Sequence, residues 1–125
     1  MTVSAPTRLP DVLSIQQAAD ILDVPASRFS ASWRQNRIAI PYQGQVARPA
    51  VVRAFVLLQL QRLLGDTSPT ALEIARSLND VVLDQLLDGA LTDIAVRLPG
   101  GVITLVIPRP IIAELRDRLA ALVTW

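Results

Sequence analysis

The side chains best placed for chemistry are twelve arginines, and no histidine, cysteine or lysine accompanies them. That inventory rules out disulfides, thiolate chemistry and the usual zinc ligands. It also rules out histidine-assisted serine or cysteine catalysis and any lysine Schiff base. Carboxylates, Tyr42 and hydroxyls remain, too narrow a set to make an enzyme the expected reading, and neither a cofactor nor a metal is expected. The arginines are unevenly spread. Residues 1–62 hold seven of them against three aspartates, and residues 63–125 hold five against eight acids. No acidic residue lies between Asp23 and Asp66, whereas Arg28, Arg34, Arg37, Arg48, Arg53 and Arg62 all do. Guanidinium groups concentrated in an acid-free stretch are what a polyanion would feel, although the formal net charge is only +1.

The elements that must hold these groups are legible from caps and periodicity. Ser14 is an N-cap signal before an apolar face of Ile15, Ala18, Ala19 and Leu22, predicting a helix over 14–22. Asp23-Val24-Pro25 forms a turn. A second helix is predicted over 26–35, with Phe29 and Trp33 at i,i+4 as its buried face and Asn36 in the left-handed C′ position. Residues 38–46 form a short hairpin around Gly44. Pro49, Pro69 and Pro110 each fall where a helix begins, a position at which the missing N–H costs nothing. Helices are therefore predicted over 49–64, with Val52, Phe55, Val56, Gln59/Leu60 and Leu63 as its stripe, over 69–78, over 80–88 and from 109 onward. Between the last two, residues 92–98 alternate, Pro99-Gly100-Gly101 turns, and 102–107 is a β-branched run, the pattern of a β-hairpin.

Two short helices joined by a three-residue turn, with small Ala18-Ala19 where helices must approach closely, form a helix-turn-helix pattern. From Leu13-Ser14 through Ala18-Ala19 to Leu22-Asp23-Val24, then across 38–42, 48–55 and 51–78, the chain resembles the MerR superfamily, including its excisionase-like winged helix-turn-helix domains. The resemblance covers about residues 12–78 and rests on hydrophobic spacing and the alanine pair. It implies a bacterial or phage regulator whose second helix enters the major groove and whose wing rests on the flanking backbone or minor groove. By position it implies Ser27, Arg28, Ser30, Ala31 and Arg34 as the helix residues facing double-stranded DNA, and Tyr42, Gln43, Gln45 and Arg48 as the wing residues. Arg37 and Arg53 suit phosphate contacts that set register. The chain departs from the family where Ser30-Ala31-Ser32 interrupts the charge of the second helix and where the wing lacks paired arginines. One copy should therefore bind weakly.

The fold class expected is mainly α with short β. A loose arm covers 1–11, a winged helix-turn-helix domain 12–78, and a helix–hairpin–helix region 79–125 for dimerisation or partner binding. The apolar fraction of 51% and the mean hydropathy of +0.40 are high for a monomer this small, pointing to a subunit interface. Ile94, Val96, Leu98, Val102, Leu105, Ile107, Ile111 and Leu115 are the candidate dimerisation residues. The leading reading is a sequence-specific transcriptional regulator acting as a homodimer. Alternatives are an antitoxin or adaptor gripping a protein partner through residues 80–125, or an excisionase- or partition-type architectural factor. MTVSAPTRLP has no basic start followed by an apolar stretch, and no apolar run approaches the roughly 20 residues of a membrane span. A cytoplasmic, nucleoid-associated location is expected.

Overall fold

The structure, a computed structural model, describes residues 9–90, 92–98 and 100–123. It is mainly helical, with short strands in two small antiparallel sheets. Strand β1 (Val12–Ser14) leads directly into helix α1 (Ile15–Leu22). Ser14 closes a capping box: its Oγ accepts from the Gln17 N–H at 3.1 Å, and Gln17 Oε1 accepts from the Ser14 N–H at 3.0 Å. Asp23, left-handed at φ 56°, ends the helix and donates its N–H back to the carbonyls of Ala19 and Asp20.

The second predicted helix is not one helix. It is split into α2 (Ser27–Ser30) and α3 (Ser32–Gln35) at Ala31, whose backbone leaves the helical region (φ −123°, ψ −95°). No residue in this stretch has a long apolar side chain except Phe29 and Trp33, so one edge-to-face ring pair must anchor both turns. The centroids lie 4.8 Å apart at 85°, and both rings are buried. The left-handed residue that follows is Arg37 (φ 58°), while Asn36 stays at φ −89° and ties its Nδ2 to the Ser32 carbonyl. Arg37 thus takes the position expected of Asn36.

The hairpin predicted over 38–46 shrinks to a single bridge between Tyr42 and Gln45. Strand β2 (Gln45–Ala47) pairs instead with β1, Leu13 opposite Val46, and both of those side chains are buried. Helix α4 (Arg48–Leu64) follows at once and is the hub of the fold. It packs against α1, β2, α5 (Pro69–Ser77) and α6 (Asp80–Leu87). Val51, Val52, Ala54, Val56 and Leu57 are completely shielded, a wider buried surface than the predicted stripe. Leu63, expected on that stripe, is 71% exposed, and Phe55 is half-buried. Ser68 and Asn79 cap α5 and α6 by accepting from the N–H groups of Ala71 and Val82.

Strands β3 (Asp93–Leu98) and β4 (Gly101–Val106) form the predicted hairpin, and α7 (Arg109–Ala121) closes the chain. The buried side chains make one cluster from Leu13 to Leu119, so the core runs without interruption across the boundary drawn at residues 78 and 79. Leu9 packs on it, so the arm expected over 1–11 is held at its described end, 9–11; residues 1–8 lie outside the described residues. No helix among the described residues is long and apolar enough to cross a membrane. Because the capping box satisfies two otherwise orphaned donors, Ser14→Ala is expected to cost about 1 kcal/mol, read as a lower midpoint in thermal or urea unfolding.

Candidate nucleic-acid interface

Arg28, Arg34 and Arg37 are the exposed guanidinium groups that the α2–α3 segment and its exit present to solvent. Burial of Phe29 and Trp33 sets their direction: with those two rings turned inward, the intervening side chains of Ser30, Ala31 and Ser32 face out. Arg28 lies over the Trp33 ring, its Cζ 6.0 Å from the centroid, at the outer limit of a cation–π contact. Its neighbours there, Ser32, Gln61 and Asp66, line a shallow hollow. The Arg37 N–H donates to the Arg34 carbonyl at 3.2 Å, so these two arginines sit on one tight turn. Among the described residues, every ion pair involves Arg48, Arg53 or Arg118. Arg28, Arg34 and Arg37 have none. Ser27, Ser30 and Ala31 are also exposed, although the Ser30 hydroxyl donates to the Ser27 carbonyl at 3.1 Å.

Tyr42, Gln43 and Gln45 surround a two-residue turn. Gln43 and Gly44 both have positive φ, 52° and 75°, the geometry of a type I′ hairpin turn. Tyr42 and Gln45 exchange both backbone hydrogen bonds, at 2.9 and 3.0 Å. The Gly44 carbonyl accepts from the Ile15 N–H at 3.3 Å, pinning the turn to the start of α1. Tyr42, Gln43 and Gln45 are all exposed, and their donors and acceptors are open to a ligand.

Two of the expected DNA contacts, Arg48 and Arg53, are engaged within the chain. Arg48 is turned inward at the first turn of α4. Its Nη1 faces the carbonyls of Leu9 and Pro10 at 3.4 and 3.3 Å and Asp11 Oδ1 at 3.4 Å, and its Nη2 lies 3.9 Å from Asp84 Oδ1. Arg53 donates to the Leu78 carbonyl at 2.9 Å and to Asp80 at 3.4 Å, with its side chain only 18% exposed. Both join α4 to distant segments, and both are mostly covered, with side chains 23% and 18% exposed. Arg118 holds a comparable position that was not foreseen. It donates to the Ile21 carbonyl at 2.8 Å and to Glu114 at 2.7 Å, fastening α7 to the end of α1. Only the Glu114–Arg118 i,i+4 spacing was visible in the sequence.

The candidate dimerisation residues divide. Ile94, Leu105, Ile107 and Leu115 are buried in the chain's own core, and Ile111 is half-buried against it. The first four are occupied by the chain's own packing. Val102 is exposed, and the side chains of Val96 and Leu98 lie outside the described residues. Among the described residues no cluster of acidic side chains could hold a metal ion. Compared with known proteins, the chain matches no family model, no curated protein and no solved structure.

The two kinds of arginine should separate in stability measurements. Arg53→Gln leaves the Leu78 carbonyl without its charged donor and is expected to lower unfolding free energy by about 1–3 kcal/mol. Arg37→Gly relieves a left-handed arginine and is expected to raise it by about 0.5–1 kcal/mol, both by urea unfolding.

Proposed function

We propose that this protein is a sequence-specific DNA-binding transcriptional regulator of the winged helix-turn-helix class, acting as a homodimer. The observation that carries the reading is the trio Arg28, Arg34 and Arg37: exposed, free of carboxylate partners among the described residues, and set on the short helices that follow the α1 turn and at their exit. An arginine fork matches guanine O6 and N7 in the major groove, or a phosphate, with two parallel hydrogen bonds. The Gln43–Gly44 turn supports the second half of the reading. It is a compact wing, offering Tyr42, Gln43 and Gln45 to flanking backbone or minor groove. The split at Ala31 shortens the reading element to single turns, so only a few base contacts are within reach of one copy.

Two copies held together raise the effective concentration of the second contact and offset that weakness. A palindromic site would follow from the two-fold symmetry. Without histidine, cysteine or lysine the arginine-rich surface offers the chemistry of recognition, with Tyr42 and hydroxyls beside it, and binding rather than catalysis is the reading proposed.

Footprinting on the DNA upstream of the protein's own gene should locate a protected site. On that site Arg34→Ala and Arg28→Ala are each expected to weaken binding by about 1–3 kcal/mol with unchanged circular dichroism. With two or three free arginines per copy contacting phosphate, log affinity should fall against log salt with a slope of about −4 to −5. A slope near zero, or unchanged affinity in both variants, would overturn the assignment.

A further inference from the structure

The β3–β4 hairpin has two faces and two edges, and the chain uses only part of them. On the inner face Ile94 and Leu105 are cross-strand partners and both are buried. On the outer face Ala95 and Thr104 are partners and both are exposed, with Val102 and Val106 on either side of Thr104 at 62% and 63% exposure. Among the described residues each strand pairs only with the other, which leaves each an edge whose alternate N–H and C=O groups have no strand partner.

The two edges are not equivalent. Strand β3 contains Asp93 and Arg97, and charges along an edge deter pairing with another chain. Strand β4 reads Gly-Val-Ile-Thr-Leu-Val, with neither charge nor proline across six residues. Of the usual devices that protect an exposed edge strand, its composition has none.

We propose that β4 pairs with β4 of a second copy, antiparallel about a two-fold axis at Thr104, to make a continuous four-stranded sheet. The inference rests on the reading of the protein as a DNA-binding homodimer and supplies the joint between its two halves. Register follows from the period of two: outward residues must meet outward residues. An axis at Thr104 sets Val102 against the partner's Val106 and Thr104 against the partner's Thr104, so that exposed valines shield each other across the seam. Such β-branched and Thr–Thr cross-strand pairs are favourable. Because β4 carries no charge, two copies meet without repulsion, and a basic protein partner would find no carboxylate on this strand to attract it. A strand that is its own complement under a two-fold selects a second copy of itself.

The chain has no cysteine, so Thr104→Cys introduces a single thiol. Opposed residues of an antiparallel pair have Cα atoms about 4.5–5.5 Å apart, inside the roughly 4.4–6.8 Å that a disulfide spans. Mild oxidation is expected to convert Thr104→Cys almost completely to a linked dimer on a non-reducing gel. Gln85→Cys, exposed on α6, should stay uncrosslinked. Light scattering of the unaltered protein at micromolar concentration is expected to give a dimer. Val102→Lys with Val106→Lys, which sets like charges across the axis on exposed positions, should give a monomer with unchanged circular dichroism. A monomeric unaltered protein, a dimer that survives the lysine pair, or Thr104→Cys crosslinking no faster than Gln85→Cys would each overturn the proposal. If the lysine pair disturbs the fold, the crosslinking comparison decides alone. If the dimer behaves as expected while neither protein shows salt-dependent DNA binding, the interface stands and the DNA reading falls.

Discussion

Helix α4 is buried from several sides at once, and most of the remaining structure is arranged to make that tolerable. Val51, Val52, Ala54, Val56 and Leu57 lose all contact with water, each valine or leucine contributing on the order of 1.5–3 kcal/mol. A helix covered this way cannot leave cations in its first turns unanswered. Arg48 is met by Asp11, Asp84 and the carbonyls of Leu9 and Pro10, and Arg53 by Asp80 and the Leu78 carbonyl. These contacts draw in the end of the N-terminal arm and the α5–α6 junction. The acids that answer them on the C-terminal side, Asp80 and Asp84, belong to the half of the chain with the negative surplus. Part of the charge asymmetry is therefore internal, because Arg48 and Arg53 are answered within the chain.

The segment bearing the exposed Arg28, Arg34 and Arg37 is held by very little. Short helical turns such as α2 and α3 have no independent stability, because nucleation costs more than so few hydrogen bonds return. Their position depends on Phe29 and Trp33, whose edge-to-face contact connects the two turns across the break at Ala31. The Trp33 carbonyl then accepts from Ile38 at 2.9 Å and Ala39 at 3.3 Å, turning the chain toward the Gln43–Gly44 turn. Packing and exposed polar chemistry are thus divided between the residues of one short stretch: rings inward, guanidinium groups and hydroxyls outward. The left-handed backbone at Arg37 has the same character, since a glycine would be more comfortable there but could not carry a charge.

The hairpin shows a similar economy. Its inner face completes the core that α6 and α7 share with the N-terminal elements, and Ile107 extends the ladder by donating to the Thr92 carbonyl at 2.8 Å. The apolar excess of the sequence is only partly absorbed by this. Val102 and Val106 remain in water beside an uncharged edge, and the proposed strand pairing would bury them against a second copy.

Local signals were enough to place most elements. Ser14 before an apolar-periodic run, prolines at 49, 69 and 110, and the switch to alternation after residue 92 mark helices and hairpin within a residue or two, because caps and proline act on their immediate neighbours. The inward turn of Phe29 and Trp33, and with it the outward turn of Arg28 and Arg34, also followed from spacing. Tertiary structure decided the rest. The pairing of β1 with β2 joins three-residue strands more than thirty positions apart, too short to show a period. The break at Ala31 has no proline or glycine to announce it in the sequence. Whether an arginine is free or spent depends on which carboxylates and carbonyls fold back against it, so Arg34 and Arg48 look alike in sequence and end in opposite roles. Likewise Ile94 and Leu105 read as interface only until the core they complete is known. Nearest-neighbour chemistry is written along the chain, but long-range partnership exists only once the chain has closed on itself.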